Sequence, residues 1–376
     1  MMRLDGAAVG NPAAGNRNYG IDLLRILAML YVVILHVIGP GGIVGAAPEG
    51  SANYQVAWVL EIWSFCAVDI FALVSGYVSY SEHERKTKWS SYVLLWLQVV
   101  VYGVGVTLVF NCFHPELVTK ASLLKTLFPV TNGLYWYLNA YTGLFVMMPL
   151  LNAGLRKCPA HTLKKVFVTL LVVFSVYEIF ARKLTLGDGY SFAWVLVLYL
   201  LGAILRKCEI GKNLPAFWAW IGIAIFCLLG WLWRMYGLEF IIRGIYVGKA
   251  SLVSYVSPLV LGAAVLHVIA FSKMKIGKRM QRVLAFAAPG AFAVYILNCH
   301  WVIWNYMMTD KFAVLAQRPV LVMLFWIAVF SCAFVVISIL IDRVRIFLFK
   351  VFRVREIVEF AVGAVEKLVD AVAERL

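Results

Sequence analysis

Arg25 and His36 lie eleven residues apart in the segment RILAMLYVVILH, inside an otherwise apolar stretch. Eleven residues turn an α-helix by three turns plus about 20°, so both side chains share one face, about 16 Å apart along the axis. A guanidinium binds phosphate, and an imidazole can serve as base or nucleophile. Charged groups inside a membrane usually mark a functional pathway. The structural alternative is that Arg25 reaches a lipid headgroup and His36 packs in the bundle.

Other ionisable residues also interrupt apolar stretches: Asp22, Glu61, Asp69, Glu178, Arg234 and His300. Asp22 precedes Arg25 by three residues, the spacing of an ordinary ion pair on a helix surface. Glu178 and Arg234 lie near the ends of predicted spans, where long side chains reach the interface. Glu61 has no opposite charge nearby in the sequence. It therefore needs a partner from another helix or lines a site.

The elements that must position these residues are membrane helices. The chain has 376 residues, of which 63% are hydrophobic and 14% charged, whereas soluble domains average about 45–50% apolar residues. Its uncharged runs match the roughly 20 residues that cross a bilayer. The sequence predicts an all-α integral membrane bundle of about ten helices, near residues 20–39, 55–80, 90–111, 133–153, 164–181, 191–207, 216–235, 252–272, 284–306 and 319–341.

The net charge of +15 follows the predicted topology. Apart from Arg25 and Arg234, 24 basic residues lie toward one side of the predicted membrane and 8 toward the other. The positive-inside rule then places both termini in the cytoplasm. The charge is thereby explained without a nucleic-acid partner.

The chain divides into three predicted parts. Residues 1–19, rich in Gly, Ala and Asn, are expected to form a disordered cytoplasmic tail. Residues 20–341 form the transmembrane domain. Residues 342–376 have apolar residues at helical spacing but too many charges to span the membrane. They are predicted to form a cytoplasmic amphipathic helix that lies on the inner membrane surface or packs on a partner helix. The seven cysteines are scattered without metal-ligand spacing, so no metal site is expected.

Three motifs in order carry a resemblance. The first is Arg25-x10-His36, the second is VDIFALVSGY at 68–77, and the third is YWYLNAYTGLFVMMPLLN at 135–152. Together they resemble the acyltransferase-3 family of integral membrane acyltransferases over residues 19–341. The second motif matches the family pattern of an aspartate, an aromatic residue and Ser-Gly-aromatic at Asp69, Phe71, Ser75, Gly76 and Tyr77.

Two positions depart from the family pattern. Where the family often reads Tyr-x-x-His, this chain has Asn298, and His300 follows two residues later. Two residues turn a helix by about 200°, so His300 does not simply replace the missing histidine. The basic pair after the second span reads Arg85-x-x-Lys88, and lysine keeps the charge but loses the bidentate fork.

The resemblance implies transfer of an acyl group, commonly acetyl, from cytoplasmic acyl-CoA to a hydroxyl of a surface glycan or lipid-linked saccharide in a bacterial plasma membrane. Acyl-CoA is a co-substrate, and no bound cofactor is expected. Arg25, Arg85 and Lys88 are the candidates for binding the phosphates of CoA. His36 lies deeper on the same face, at a distance comparable to an extended pantetheine arm.

His36 has two open roles. It is either a general base toward the acceptor hydroxyl or a nucleophile that carries the acyl group. Asp69 or Glu61 is expected to hold its other ring nitrogen. Ser75 is a further candidate for a covalent relay, although helix packing beside Gly76 is the simpler role.

Two other classes of protein fit parts of the pattern. In a secondary transporter or flippase, His36, Glu61 and Asp69 would relay protons. The sequence lacks the inverted halves and paired broken helices expected of such a carrier. A membrane scaffold without catalysis would place the charged residues toward lipid. Neither the acceptor, the acyl length nor the oligomeric state is encoded in a readable motif.

Overall fold

A computed structural model describes residues 17–84, 86–242 and 245–375, and the chain is 76% helical. Residues 1–16, most of the predicted disordered tail, lie outside the described residues. The α-helices are α1 Tyr19–Ile38, α2 Ile43–Ala46, α3 Ala52–Ser64, α4 Ala67–Ser79, α5 Trp89–Phe113, α6 Lys120–Leu127, α7 Trp136–Lys157, α8 Ala160–Leu171, α9 Glu178–Ala181, α10 Phe192–Lys207, α11 Ala216–Tyr236, α12 Pro258–Ser272, α13 Lys278–Ala287, α14 Ala291–Asn298, α15 Trp301–Ile303, α16 Val320–Val351 and α17 Val354–Ala373.

Short irregular elements connect several of these helices. They comprise 3-10 turns at Pro115–Leu117, Gly187–Gly189, Ala288–Gly290 and Ala313–Gln317, and π-helical turns at Val172–Tyr177 and Trp304–Met308. The strands β1 Phe240–Ile242 and β2 Ile245–Val247 form one antiparallel hairpin in which Phe240 pairs with Val247. The hairpin is a small departure from the all-α prediction.

Seven helical segments of the described chain are long and apolar enough to cross a membrane: Tyr19–Ala46, Ala52–Ser79, Trp89–Phe113, Trp136–Lys157, Ala216–Tyr236, Lys278–Asn298 and Val320–Val351. The other three predicted spans, 164–181, 191–207 and 252–272, contain helices that are shorter or interrupted. The helical membrane class is therefore confirmed. The count of ten spans and the orientation of the termini stay predictions.

Hydrogen bonds between helix ends show how α1 is placed. The Asn18 side chain caps α1 by accepting from two backbone N–H groups of its first turn, and it donates to the carbonyl of Ser272 at the end of α12, at 2.7 Å. At the other end of α1, the backbone N–H of Asp310 donates to the carbonyl of Pro40 at 3.0 Å. We call the end of the bundle where α1 begins the basic end, because it carries the predicted cytoplasmic cations, and the other the opposite end.

Helices α4 and α10 pack closely against each other in the bundle. A Cβ atom on Gly76 would lie 1.9 Å from the carbonyl oxygen of Tyr199, and one on Gly202 would lie 1.9 Å from that of Leu73. Such reciprocal contacts require glycine on both helices, as in small-residue packing between membrane helices. Most of α10 is buried, so the helix pair forms the centre of the bundle.

The C-terminal part differs in detail from the predicted boundary. Helix α16 continues to Val351, ten residues beyond the predicted span. Asp342 is fully buried there, and its carboxylate pairs with Arg345 at 2.9 Å and accepts from Tyr102 at 2.7 Å and Gln98 at 3.0 Å, both on α5. This network fastens α16 to α5. The amphipathic helix α17 follows, with apolar side chains such as Phe360 exposed.

Candidate active site

Helix α1 carries Arg25 and His36 without interruption. The helical rise therefore separates them by about 16 Å on one face. Arg25 lies in the half of α1 near the basic end, and His36 lies two residues before the last helical residue, near the opposite end. One rigid element thus fixes both the distance and the direction between the two groups.

Asn298 holds the imidazole of His36. The Nδ1 atom of His36 and the Oδ1 atom of Asn298 form a short hydrogen bond between α1 and the last residue of α14. The Nδ2 atom of Asn298 faces the sulfur of Met308 at 3.9 Å, and the Trp304 ring packs edge-to-face on His36 with centroids 4.9 Å apart. The expected carboxylate partner, Asp69 or Glu61, is not the group that holds this ring.

The amide partner determines which nitrogen of His36 is reactive. An amide oxygen only accepts hydrogen bonds, so Nδ1 of a neutral His36 carries the proton and donates it. The lone pair then lies on Nε2. Both roles predicted for His36, as a base and as an acyl carrier, need a free Nε2 lone pair.

His36 lines a cavity of about 660 Å³, which we call the His36 cavity. Its volume lies in the range of small-molecule sites, about 300–1,000 Å³. Its walls are mostly aromatic, and they reach loop residues Pro40, Leu134 and Tyr190 at the opposite end. Tyr190 is 54% exposed, so the cavity is bordered at that end by the protein surface.

Glu61 also lines the His36 cavity. Its Oε2 atom is buried and has no hydrogen-bond partner among the described residues. A Cβ atom on Gly39 would lie 3.2 Å from its Oε1 atom, so the carboxyl group lies beside the end of α1. The helix partner that the sequence requires for this carboxyl group is not found in the described chain.

Asp69 has a different environment from the one expected. It is fully buried, and its Oδ1 atom accepts from the indole Nε1 of Trp194 on α10 at 3.0 Å. Asp69 is not part of the His36 cavity lining. The hydrogen bond between Asp69 and Trp194 joins α4 to α10 outside the lining of the His36 cavity.

A second, smaller cavity of about 60 Å³ contains Arg25 and Ser75, and we call it the Arg25 cavity. The Nη1 atom of Arg25 lies 3.5 Å from Asp22, whose other carboxylate oxygen pairs with Arg17 at 2.5 Å. The contact of Arg25 with Asp22 is single and is longer than the contact of Arg17 with Asp22. Most of the guanidinium N–H donors of Arg25 therefore remain available to a ligand. The Ser75 hydroxyl donates to the carbonyl of Phe71 at 3.0 Å, a contact within its own helix.

The two cavities share one wall. Phe71, Tyr137 and Phe292 line both of them, and Phe71 packs against the other two rings with centroids 5.7 and 6.3 Å apart. Only these aromatic side chains are common to the two linings. The groups at the two ends of α1 therefore face two spaces that meet at one aromatic partition.

A third cavity, of about 780 Å³, lies at the basic end between the ends of α4, α10 and α12. We call it the basic cavity. The Arg206 guanidinium lies over the Tyr77 ring at 5.3 Å and donates to its hydroxyl at 3.3 Å. Lys207 and Lys273 also line it, but their ammonium groups bond backbone carbonyls of neighbouring loops. Arg206 and the exposed Lys164 are thus two cations of the described lining that a ligand can reach.

The remaining predicted residues lie elsewhere. Lys88 is exposed directly before α5 and lines none of the three cavities. Arg85 lies outside the described residues. His300 caps α15 by accepting from the backbone N–H of Val302 at 3.3 Å, and its Nε2 atom contacts the carbonyl of Gly103 at 3.2 Å. Both of its nitrogens are used in structural contacts.

The sequence did not single out a cluster of four aromatic rings in the His36 cavity, which we call the aromatic cluster: Phe65, Trp136, Tyr190 and Tyr255. Ring centroids lie 4.8 Å apart for Trp136 and Tyr190, 5.0 Å for Tyr190 and Tyr255, and 4.9 Å for Phe65 and Tyr255. Trp136 belongs to the third motif, YWYLNAYTGLFVMMPLLN, which carried the family resemblance but did not indicate this cluster. The residues come from four separate segments, so no local pattern identifies the cluster.

Comparison with protein families gives one match for this chain. A family model described as an acyltransferase domain matches residues 18–343. That range begins at the cap of α1 and ends beside the buried Asp342, so it contains all three cavities. No curated protein and no solved structure matches the chain.

Proposed function

The chain belongs to the acyltransferase-3 family and is a multi-pass membrane acyltransferase, and on that basis we propose that it transfers an acyl group from acyl-CoA to a glycan hydroxyl. Acetyl is the default acyl group, and a bacterial plasma membrane is the proposed location. One observation carries the proposal: Arg25 and His36, on one face of α1, line two cavities that share an aromatic partition. An acyl donor long enough to bridge them brings its thioester to His36.

The donor enters from the basic end. Arg25 supplies guanidinium donors in a partly buried position, where a phosphate group of CoA forms charge-assisted hydrogen bonds. Arg206 in the basic cavity, together with Lys88 directly before α5, adds positive potential at this end for the remaining phosphates, and Arg85 is a further candidate from the sequence. The pantetheine arm then extends along α1 toward His36, past Phe71.

The reaction at His36 follows from its free Nε2 atom. In direct transfer, Nε2 removes the proton of the acceptor hydroxyl while the hydroxyl oxygen attacks the thioester carbonyl. The carbon–sulfur bond breaks, and the departing CoA thiolate takes the proton from the imidazolium. In the second route, Nε2 itself attacks the carbonyl and the carbon–sulfur bond breaks, which gives an acyl-imidazolium and the CoA thiolate. The acceptor oxygen then attacks the acyl carbon, its proton passes to the CoA thiolate, and the neutral imidazole of His36 is released. Asn298 orients the ring in both.

The test uses purified protein in proteoliposomes with radiolabelled acetyl-CoA and a glycan extract of the host envelope. We expect the wild type to leave label on the glycan, and His36→Ala to abolish transfer while folding normally. His267→Ala is the matched control, because His267 is fully buried in α12 and bonds the carbonyl of Ala263 away from the cavity. Unchanged transfer by His36→Ala, or label that crosses the membrane without attachment to glycan, as a carrier would give, refutes the proposal.

A further inference from the structure

The His36 cavity combines two features that an acyl chain alone does not explain. Its walls are aromatic, yet it contains the Glu61 carboxyl group, whose buried Oε2 atom is unpartnered in the described chain. A buried polar group without a hydrogen bond costs about 1–3 kcal/mol, and hydrocarbon supplies no donor. An occupant that carries hydrogen-bond donors as well as an apolar surface therefore fits this cavity better than an acyl chain alone.

A pyranose ring has both properties. One face of the ring presents C–H groups that pack on aromatic side chains, and its rim carries hydroxyl donors that a carboxyl group accepts. Aromatic rings give a large, rigid contact area. In the aromatic cluster, Trp136 and Tyr255 lie nearly parallel, with an interplanar angle of 24°, and Tyr190 reaches the surface at the opposite end.

The backbone around the aromatic cluster is built for this close packing. Gly189, directly before Tyr190, has a φ of +100°, and a Cβ atom there would lie 2.4 Å from the Cβ of Tyr255. Only glycine adopts that conformation without strain. The same Cβ atom would lie 3.2 Å from the ring of Trp194, which Asp69 holds. Trp194, which Asp69 holds, therefore lies beside the backbone turn that precedes Tyr190.

We propose that the aromatic cluster and Glu61 form the acceptor subsite, in which one pyranose ring packs on Trp136 and donates a hydroxyl hydrogen bond to Glu61. The inference rests on the proposed function and names the acceptor's chemical class at that site. Glu61 is then a binding residue that holds the acceptor in the cavity of His36. The reacting hydroxyl is a second hydroxyl of the same ring, turned toward Nε2.

The test measures binding rather than turnover, so its failure is distinct from failure of the acyl transfer assay. Saturation-transfer NMR is recorded on the full chain in nanodiscs with methyl glycosides of glucose, galactose, mannose, rhamnose and N-acetylglucosamine. We expect saturation of ring protons in at least one glycoside. Trp136→Ala should abolish it, and Glu61→Leu should weaken binding by about 2- to 12-fold, as loss of one ordinary hydrogen bond does.

Matched controls are Trp218→Ala, which removes an exposed tryptophan of α11, and Glu116→Leu, which removes an exposed carboxylate of a loop. Both should bind like the wild type. Absence of saturation by every glycoside overturns the inference, as does equal saturation in Trp136→Ala and the wild type. Saturation by octanoate but by no glycoside also overturns it and assigns the cavity to an acyl chain.

Discussion

Replacing Asn298 by alanine tests whether its amide orients the catalytic imidazole. The substitution removes the acceptor of the His36 Nδ1–H group and leaves that donor without its partner in a partly buried position. Leaving one buried donor unsatisfied costs about 1–3 kcal/mol. If that cost falls on the reactive orientation of the ring, turnover decreases by about 5- to 150-fold, since 1.36 kcal/mol corresponds to tenfold in rate.

The assay separates turnover from donor binding. Initial rates of acyl transfer are measured against acetyl-CoA concentration for the wild type, Asn298→Ala and Asn298→His. We expect Asn298→Ala to lower kcat while the KM for acetyl-CoA stays within about twofold, because Arg25 lies in a different cavity. Asn298→His restores an acceptor nitrogen for Nδ1–H and is expected to retain more activity than the alanine variant.

The matched control is Asn152→Ala. Asn152 accepts from the Tyr199 hydroxyl at 2.9 Å, so its truncation also removes a side-chain hydrogen bond, but outside the His36 cavity. It should change the unfolding temperature more than the rate. A kcat of Asn298→Ala equal to that of the wild type, or an equal decrease in Asn152→Ala, refutes the proposed orienting role.

Three further outcomes are expected. Arg25→Ala should raise the KM for acetyl-CoA by about 10- to 100-fold in steady-state assays, because it removes a charged hydrogen bond to the donor. The kcat should be retained, and a lower kcat at unchanged KM contradicts a role of Arg25 in phosphate binding. Gly189→Ala should displace Tyr255 and raise the KM for the glycan, and unaltered glycan kinetics argues against the aromatic cluster as acceptor subsite. Asp342→Ala should leave Arg345 as a buried unpaired charge and destabilise the fold by about 3–5 kcal/mol, seen as a lower unfolding temperature in detergent; an unchanged temperature contradicts this.

Local sequence determined the features that repeat along single helices. The spacing of Arg25 and His36 is fixed by helical geometry as soon as the segment is known to be helical. Apolar run length identified the membrane class, and three short motifs identified the family. Each of these signals lies within one element, so no knowledge of packing is needed to read it.

Span lengths were harder to predict for the central helices. Helix α10 is short and mostly buried within the bundle, so its length is set by neighbouring helices as well as by the bilayer. The predicted end of the last span, at residue 341, follows from the first charges after it. In the structure the first of those charges, Asp342, pairs with Arg345 one helical turn later, so the helix continues through the charged residues.

Only the tertiary structure decided which groups meet at the site. His36 and Asn298 are 262 residues apart in the chain. The sequence showed only that Asn298 departs from the family pattern, and it indicated no contact between Asn298 and His36. From the sequence, Asp69 and Glu61 were equivalent candidates for the hydrogen-bond partner of His36. In the structure Asp69 bonds Trp194, whereas Glu61 lines the His36 cavity. Helical periodicity fixes the face of a side chain but not the neighbour of that face, because the packing of distant helices determines that neighbour.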